Sequence, residues 1–267
     1  MNNAVVSRWL RFAAVVGAGY SVLCGAVYFT QDQLLFFPRA NHPTAVSQLD
    51  DRSWSVNVGN VTLRGWVVPT TTPNTAPLVL FFGGNSQDVA VAAANQPPIA
   101  NYVYVNYRGY GGSTGEASAD LLKSDALLIY DAAIAELPHN GNVLVHGRSL
   151  GSGVAVHLAS QRPVVGAILV TPFDSLTAVA QRHYAWLPVN WLLKHRMDSI
   201  TAAPSLTIPA LVLTAGHDTV IPEAHSIRLA QAWGGAAEVV RFPVATHGTI
   251  GNSEQFQRRV AQFVARY

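Results

Sequence analysis

Cysteine is nearly absent from this chain. The single residue, Cys24, excludes an internal disulfide and any cysteine-rich zinc site. Charge is scarce as well: 12% of the 267 residues are Asp, Glu, Lys or Arg, while 49% are hydrophobic. That balance excludes a disordered chain, which is rich in charge and short of apolar residues. The 17 basic and 15 acidic residues are scattered. No basic run is interleaved with aromatics, so nucleic-acid binding is not expected. No internal repeat is visible, and low complexity is confined to the Thr/Pro stretch Thr70–Pro77, which reads as a loop. The length suffices for one large α/β domain with a well-buried core.

Charge is missing altogether over the eighteen residues Phe12–Phe29. As a helix rising about 1.5 Å per residue, such a run nearly spans a hydrocarbon core of roughly 30 Å. Arg8 and Arg11 precede it, and the flank after it (Asp32, Arg39) is less basic. The positive-inside rule therefore puts the N-terminus in the cytoplasm and the domain on the non-cytoplasmic side. Two alternatives stay open. A cleaved signal peptide normally has a shorter apolar region ending at a small-x-small site, whereas this run continues through Val27, Tyr28 and Phe29. Lipidation of Cys24 after cleavage normally requires a small residue before the cysteine, and Leu23 stands there. The expectation is a retained single-pass anchor over residues 1–30, a connector over 31–50 and a catalytic domain over 51–267.

Beyond the connector, short β-rich runs alternate with helical patterns. Trp54–Val58 and Val61–Val68 read as strands paired around the turn Gly59-Asn60. Leu78–Phe82, Tyr102–Asn106, Val143–His146, Val165–Val170, Leu211–Thr214 and Glu238–Phe242 read as further strands. Helices are expected over Asp120–Leu137, Leu150–Ser160, Pro222–Trp233 and Ser253–Ala265. Strands that are apolar throughout and alternate with helices indicate a mainly parallel sheet covered on both faces. In such sheets ligands bind at the carboxyl ends of the strands, so the chemistry belongs in the loops that follow them.

Two G-x-S-x-G matches occur, Gly147-Arg148-Ser149-Leu150-Gly151 and Gly111-Gly112-Ser113-Thr114-Gly115. The motif by itself is weak. A nucleophile elbow needs a strand entering, a strained turn at Ser and a helix leaving, with glycines where neighbouring backbone comes too close for side chains. Ser149 meets this test: Asn142–His146 enters as a strand and the small-residue run Leu150–Ala155 leaves as a helix. Ser113 does not, because six residues separate it from the preceding strand and loop continues after it. A polar residue in a Gly-rich turn is a sufficient account of Ser113.

A serine hydroxyl becomes a useful nucleophile when an imidazole takes its proton, and a carboxylate must hold that imidazole. After an elbow of this kind the partners follow in the order acid, then histidine. Asp218 follows the late strand Leu211–Thr214, and Asp174, after the strand before it, is the alternative. Of nine histidines, His247 alone lies in a loop between the last strand and the C-terminal helix. His146 is expected to pack beneath the elbow. The grouping of His217, Asp218 and His225 lacks a second carboxylate or a cysteine at ligand spacing, so neither metal nor cofactor is expected. Charge developing on a carbonyl oxygen calls for two backbone N–H donors. Leu150 supplies one and Asn85, in Gly83-Gly84-Asn85-Ser86, the other; a simple turn with a helix cap at Ser86 is compatible with that role.

Together these segments resemble the N-terminally anchored, ABHD-type branch of the α/β hydrolases, related to serine aminopeptidase-like and prolyl-oligopeptidase-like enzymes. The resemblance rests on Gln31–Pro38, Gly84-Asn85-Ser86, Tyr107–Ser113, Gly147–Gly153, Thr171-Pro172-Phe173, Asp198-Ser199, His217-Asp218 with Ile221-Pro222, and His247-Gly248, in family order over nearly the whole chain. It implies the α/β-hydrolase fold, a mostly parallel eight-stranded sheet with helices on both faces, here with one transmembrane helix added. It also implies a Ser149–His247–Asp218 triad. One departure is Gly83, where the group usually has histidine; this bears on side-chain packing in the loop and not on its backbone donors.

Between Ser175 and Ser205 lie Tyr184, Trp186, Leu187, Trp191, Leu192 and Leu193. They suit a hydrophobic acyl-binding wall, a surface resting on a bilayer, or plain packing on the sheet. With a tether that meets lipids at high local concentration, the expected substrate is a small-molecule or lipid-like carboxylic ester or thioester with an apolar acyl part. A serine peptidase is the alternative within the class, and a catalytically inactive membrane-anchored binding domain the alternative outside it.

Overall fold

The computed structural model describes residues 3–267; the first two residues of the expected anchor lie outside them. Helix α1 (Asn3–Leu35) is longer than the charge-free run and carries five residues of the expected connector in helical form. A short helix α2 (Pro43–Ser47) follows, with proline at its first position, where a missing N–H costs nothing. Strands β1 (Ser53–Val58) and β2 (Val61–Val68) form an antiparallel hairpin about Gly59, whose φ of +60° favours glycine. β3 (Leu78–Phe82) leads to α3 (Val89–Ala94), then β4 (Asn101–Val105) and α4 (Ala119–Glu136). β5 (Val143–Arg148) runs directly into α5 (Leu150–Gln161), with only Ser149 between them.

After β6 (Gly166–Val170) the chain makes three short helices, α6 (Leu176–His183), α7 (Val189–Leu192) and α8 (Ser199–Ala202). It then completes the fold with β7 (Ala210–Ala215), α9 (Glu223–Ala232), β8 (Ala237–Phe242) and α10 (Glu254–Val264). The sheet order is β1-β2-β4-β3-β5-β6-β7-β8. β2 joins β4 antiparallel, and from β4 to β8 every pairing is parallel. This is the α/β-hydrolase fold expected from the sequence.

Alternating side chains divide each apolar strand between two cores. Leu78, Leu80 and Phe82 join α4, α5 and α9 on one face, while Val79 and Phe81 join α2, α3 and α10 on the other. This explains why β3, β4, β6 and β7 read as unbroken apolar runs: every residue in them is buried. Helices α3, α6, α7 and α8, which span four to eight residues each, are too short for a 3.6-residue pattern to declare itself in the sequence. The cap expected at Ser86 is displaced to Asp88, whose carboxylate accepts the Ala90 and Val91 amides at the start of α3. Ser86 instead takes a left-handed turn, φ +59°.

Candidate active site

The strand-to-helix turn at Ser149 is strained and tightly fitted. Ser149 has φ +52° and ψ −119°, a conformation that non-glycine residues avoid. Its amide is held by Val170 O at 2.9 Å, and its carbonyl takes both the amide and the hydroxyl of Ser152. The flanking glycines have a steric reason. A Cβ on Gly147 would lie 2.4 Å from Gly151 O, and one on Gly151 would lie 2.0 Å from Phe82 O. Helix α5 therefore approaches the end of β3 more closely than any side chain permits.

Three side chains from distant parts of the chain meet above this turn. His247 Nε2 is 2.9 Å from Ser149 Oγ, and His247 Nδ1 is 2.7 Å from Asp218 Oδ2. A proton on Nδ1 would be donated to the carboxylate, leaving Nε2 free to accept from the hydroxyl. The second carboxylate oxygen, Oδ1, accepts the Val220 and Ile221 amides at 2.9 and 2.8 Å. The Asp218 side chain is only 1% exposed and that of His247 18%, so the carboxylate is sealed and the imidazole is reachable from one side.

The loops that carry Asp218 and His247 are tied together. Gly216 N donates to Phe242 O and His217 N to Ala245 O, each at 2.9 Å. The Arg148 guanidinium donates to His247 O at 2.9 Å, clamping the histidine loop onto the elbow. Burial lowers the pKa of Arg148, and the Asp218 carboxylate partly offsets that. Nothing in the motif spacing marked this second task for the arginine inside G-x-S-x-G.

The Gly83–Ser86 loop lies against Ser149, with the Gly84 α-carbon region facing Ser149 Cβ. Among the described residues, neither the Asn85 nor the Leu150 amide has a hydrogen-bond acceptor. The loop is held by side chains. Tyr107 OH donates to Gly83 O at 2.8 Å, and Gln87 Oε1 accepts the Gly84 amide at 2.8 Å. Asn85 is fixed at both ends: its Nδ2 donates to Leu35 O at 2.6 Å, and its Oδ1 accepts from Phe37 N and Tyr110 OH. The end of α1 thus touches the Gly83–Ser86 loop. A side cavity of about 580 Å³ runs from Ser86 and Gln87 past Arg148 to Gly251.

The alternatives find other partners. Ser113 is buried, accepts the Arg64 amide and donates to Asn106 O, so it stitches its turn to β2. Asp174 accepts from His225 at 2.7 Å, Arg228 at 2.6 Å and the Ser175 amide. Burial would raise its pKa, but the His225, Arg228 and Ser175 contacts together hold it below the usual carboxylate range. His146 lies under the elbow between Phe81 and Tyr102, and burial, then the Arg148 charge, lowers its pKa to about 3. Among the described residues, no three His, Cys, Asp or Glu side chains gather as a metal site would require.

A family model described as "Serine hydrolase" matches residues 130–260, the stretch that holds all three joined side chains. An uncharacterized Mycobacterium tuberculosis protein, Rv2307c, is 32% identical over 245 residues, covering 89% of this chain and 86% of its own. The Arabidopsis thaliana α/β hydrolase domain-containing protein WAV2 is 25% identical over 301 residues, covering 100% of this chain and 96% of its own. The chain belongs to the ABHD-type α/β hydrolases. This hydrolase also superposes on solved structures. A Vibrio vulnificus α/β hydrolase gives a TM-score of 0.66 at 19% identity, covering 83% of this chain and 86% of its own. Est1E of Butyrivibrio proteoclasticus gives 0.62 at 14%, covering 80% and 96%; at these identities the likeness is one of fold. As an enzyme it is a serine hydrolase.

Proposed function

We propose that this serine hydrolase is a membrane-anchored carboxylic ester or thioester hydrolase in which Ser149 is the nucleophile, His247 the general base and Asp218 its orienting acid. The single observation that carries the reading is the unbroken chain from Ser149 Oγ through His247 to the sealed Asp218 carboxylate. Ser149 Oγ attacks the substrate carbonyl as its proton passes to His247 Nε2, and the Asn85 and Leu150 amides receive the oxyanion. His247 then returns the proton to the departing oxygen or sulfur, leaving an acyl-enzyme. Water, deprotonated by the same imidazole, releases the acid and restores the serine. The segment 1–30, which holds most of α1, anchors the protein, 31–50 connects, and 51–267 is the catalytic domain on the non-cytoplasmic side. The apolar character of α1 and of the 184–193 segment supports an acyl substrate met at a membrane.

Ser149→Ala should abolish both hydrolysis of a short-chain aryl ester and labelling by a fluorophosphonate. Ser113→Ala should keep both and lose about 1–3 kcal/mol of stability, because it removes the acceptor of the part-buried Arg64 amide and the donor to the buried Asn106 carbonyl. Full labelling of Ser149→Ala would sink the assignment. A wild-type chain that neither labels nor turns over any ester would favour the inactive binding domain, and turnover confined to peptide amides would favour the peptidase.

A further inference from the structure

Between α6 and α8 the chain runs through ten residues without a charge, Tyr184–Leu193, bracketed by Arg182 and His183 before and by Lys194, His195 and Arg196 after. One side of this lobe is pinned, with Leu187 and Val189 buried. The other side lies open: Tyr184, Trp186 and Trp191 are 52%, 55% and 87% exposed. Large aromatics in contiguous exposure mark a surface that something covers.

The same lobe grips α1. Tyr20 OH donates to Trp186 O at 2.8 Å, Gln31 Nε2 donates to Leu192 O at 3.1 Å, and the Lys194 amide donates to Gln31 Oε1 at 2.8 Å. His195 Nε2 hydrogen-bonds to Asp32 Oδ1 at the end of the helix. Crossing a hydrocarbon core of roughly 30 Å takes about twenty helical residues. The candidate span is Val5–Leu35. A twenty-residue window within it ends no earlier than Cys24 and begins no later than Val16, so every such window contains Tyr20. Even the earliest window leaves Tyr20 about 6 Å inside the domain-side boundary, at about 1.5 Å per residue, and Trp186 is bonded to it.

Backbone in hydrocarbon must have its polar groups satisfied internally. The carbonyls at the lobe's tip meet that demand, while among the described residues the Ala185 and Trp186 amides have no acceptor. Tyr184 O accepts the Leu187 amide, Ala185 O and Leu187 O accept Gln181 Nε2, Trp186 O takes the Tyr20 hydroxyl, and Pro188 O accepts the Trp191 amide.

Taking the membrane anchor proposed above as its basis, we infer that Tyr184–Leu193 is a membrane-inserted lobe, seated among the acyl chains of the near leaflet beside α1. Its consequence is a substrate route. His183 Nε2 bonds to Val220 O at 2.8 Å, two residues beyond Asp218, while the end of α1 holds Asn85. Lobe and helix therefore flank the candidate site from the membrane side, and the substrate class is an acyl ester or thioester resident in the bilayer.

The test uses the full chain, with Cys24→Ser, in phosphatidylcholine vesicles, with nitroxides placed singly at Val15→Cys, Trp191→Cys and Glu254→Cys. Collisional relaxation by oxygen and by a water-soluble nickel chelate reads each environment. Oxygen should dominate at positions 15 and 191, and nickel at 254. A label at 15 in water overturns the anchor, and the inference with it. A label at 15 in lipid with one at 191 in water overturns this inference alone. Trp186→Ser with Trp191→Ser should lower hydrolysis of a vesicle-embedded ester at least tenfold and leave a soluble aryl ester unaffected. Unchanged hydrolysis in vesicles, or an equal loss on both substrates, overturns the uptake route.

Discussion

Two aspartates compete for one role in this sequence, and their surroundings separate them. Asp218 faces His247 and is otherwise satisfied by two backbone amides. Asp174 is occupied by His225 and Arg228. Asp218→Asn should therefore lower kcat about 10⁴-fold, as loss of the orienting carboxylate does elsewhere, with little change in thermal unfolding. Asp174→Asn should do the reverse, costing about 2 kcal/mol in stability with kcat kept within a few-fold. Because the Asp174 pKa is depressed in the folded state, its contribution is present at neutral pH and is lost as pH falls below about 4. Unfolding of Asp174→Asn measured from pH 7 to 3 should show a shallower acid limb than the wild type.

At the scale of the element, β5 and its turn carry the clearest constraints. Gly151→Ala places a Cβ 2.0 Å from Phe82 O, with backbone on both sides unable to give way. A loss of about 3 kcal/mol in unfolding and of fluorophosphonate labelling is expected. His146, in the same strand, is buried and its pKa falls to about 3. Its unfolded value is about 6.5, so the unfolded chain binds a proton that the folded chain refuses. Stability should fall as pH drops from about 6.5 toward 3, by up to about 1.4 kcal/mol per pH unit from this residue. His146→Leu should flatten that slope, as read from denaturant midpoints at pH 7, 5 and 4.

Elements of this kind were largely legible in advance. All eight strands fall within a few residues of the expected positions because buried strands are short apolar runs bounded by turns. Helix α3 escaped notice because six residues of Val and Ala carry no periodic polar face. The bonds of Tyr107 and Tyr110 to the Gly83–Ser86 loop also escaped, since they join segments that only the sheet order brings together.

For the whole molecule, the charge asymmetry around α1 supports the proposed placement of the domain outside the cytoplasm. An export-dependent reporter such as alkaline phosphatase fused after Tyr267 should be active, and an inactive fusion would place the domain in the cytoplasm. The charge-free run, the two G-x-S-x-G motifs and the order of Ser149, Asp218 and His247 are properties of the sequence by itself. Periodicity and turn chemistry are local, so they specify elements and the loops between them. Tertiary structure alone decided which serine meets an imidazole, what holds Asp174, and that the end of α1 reaches Asn85. Hydrogen bonds act over about 3 Å, and Ser149 comes within that reach of His247, 98 residues away, only through the packing of a twisted sheet. The aromatic lobe was ambiguous in sequence for the same reason. Its burial on one side and its grip on α1 exist only in the folded chain.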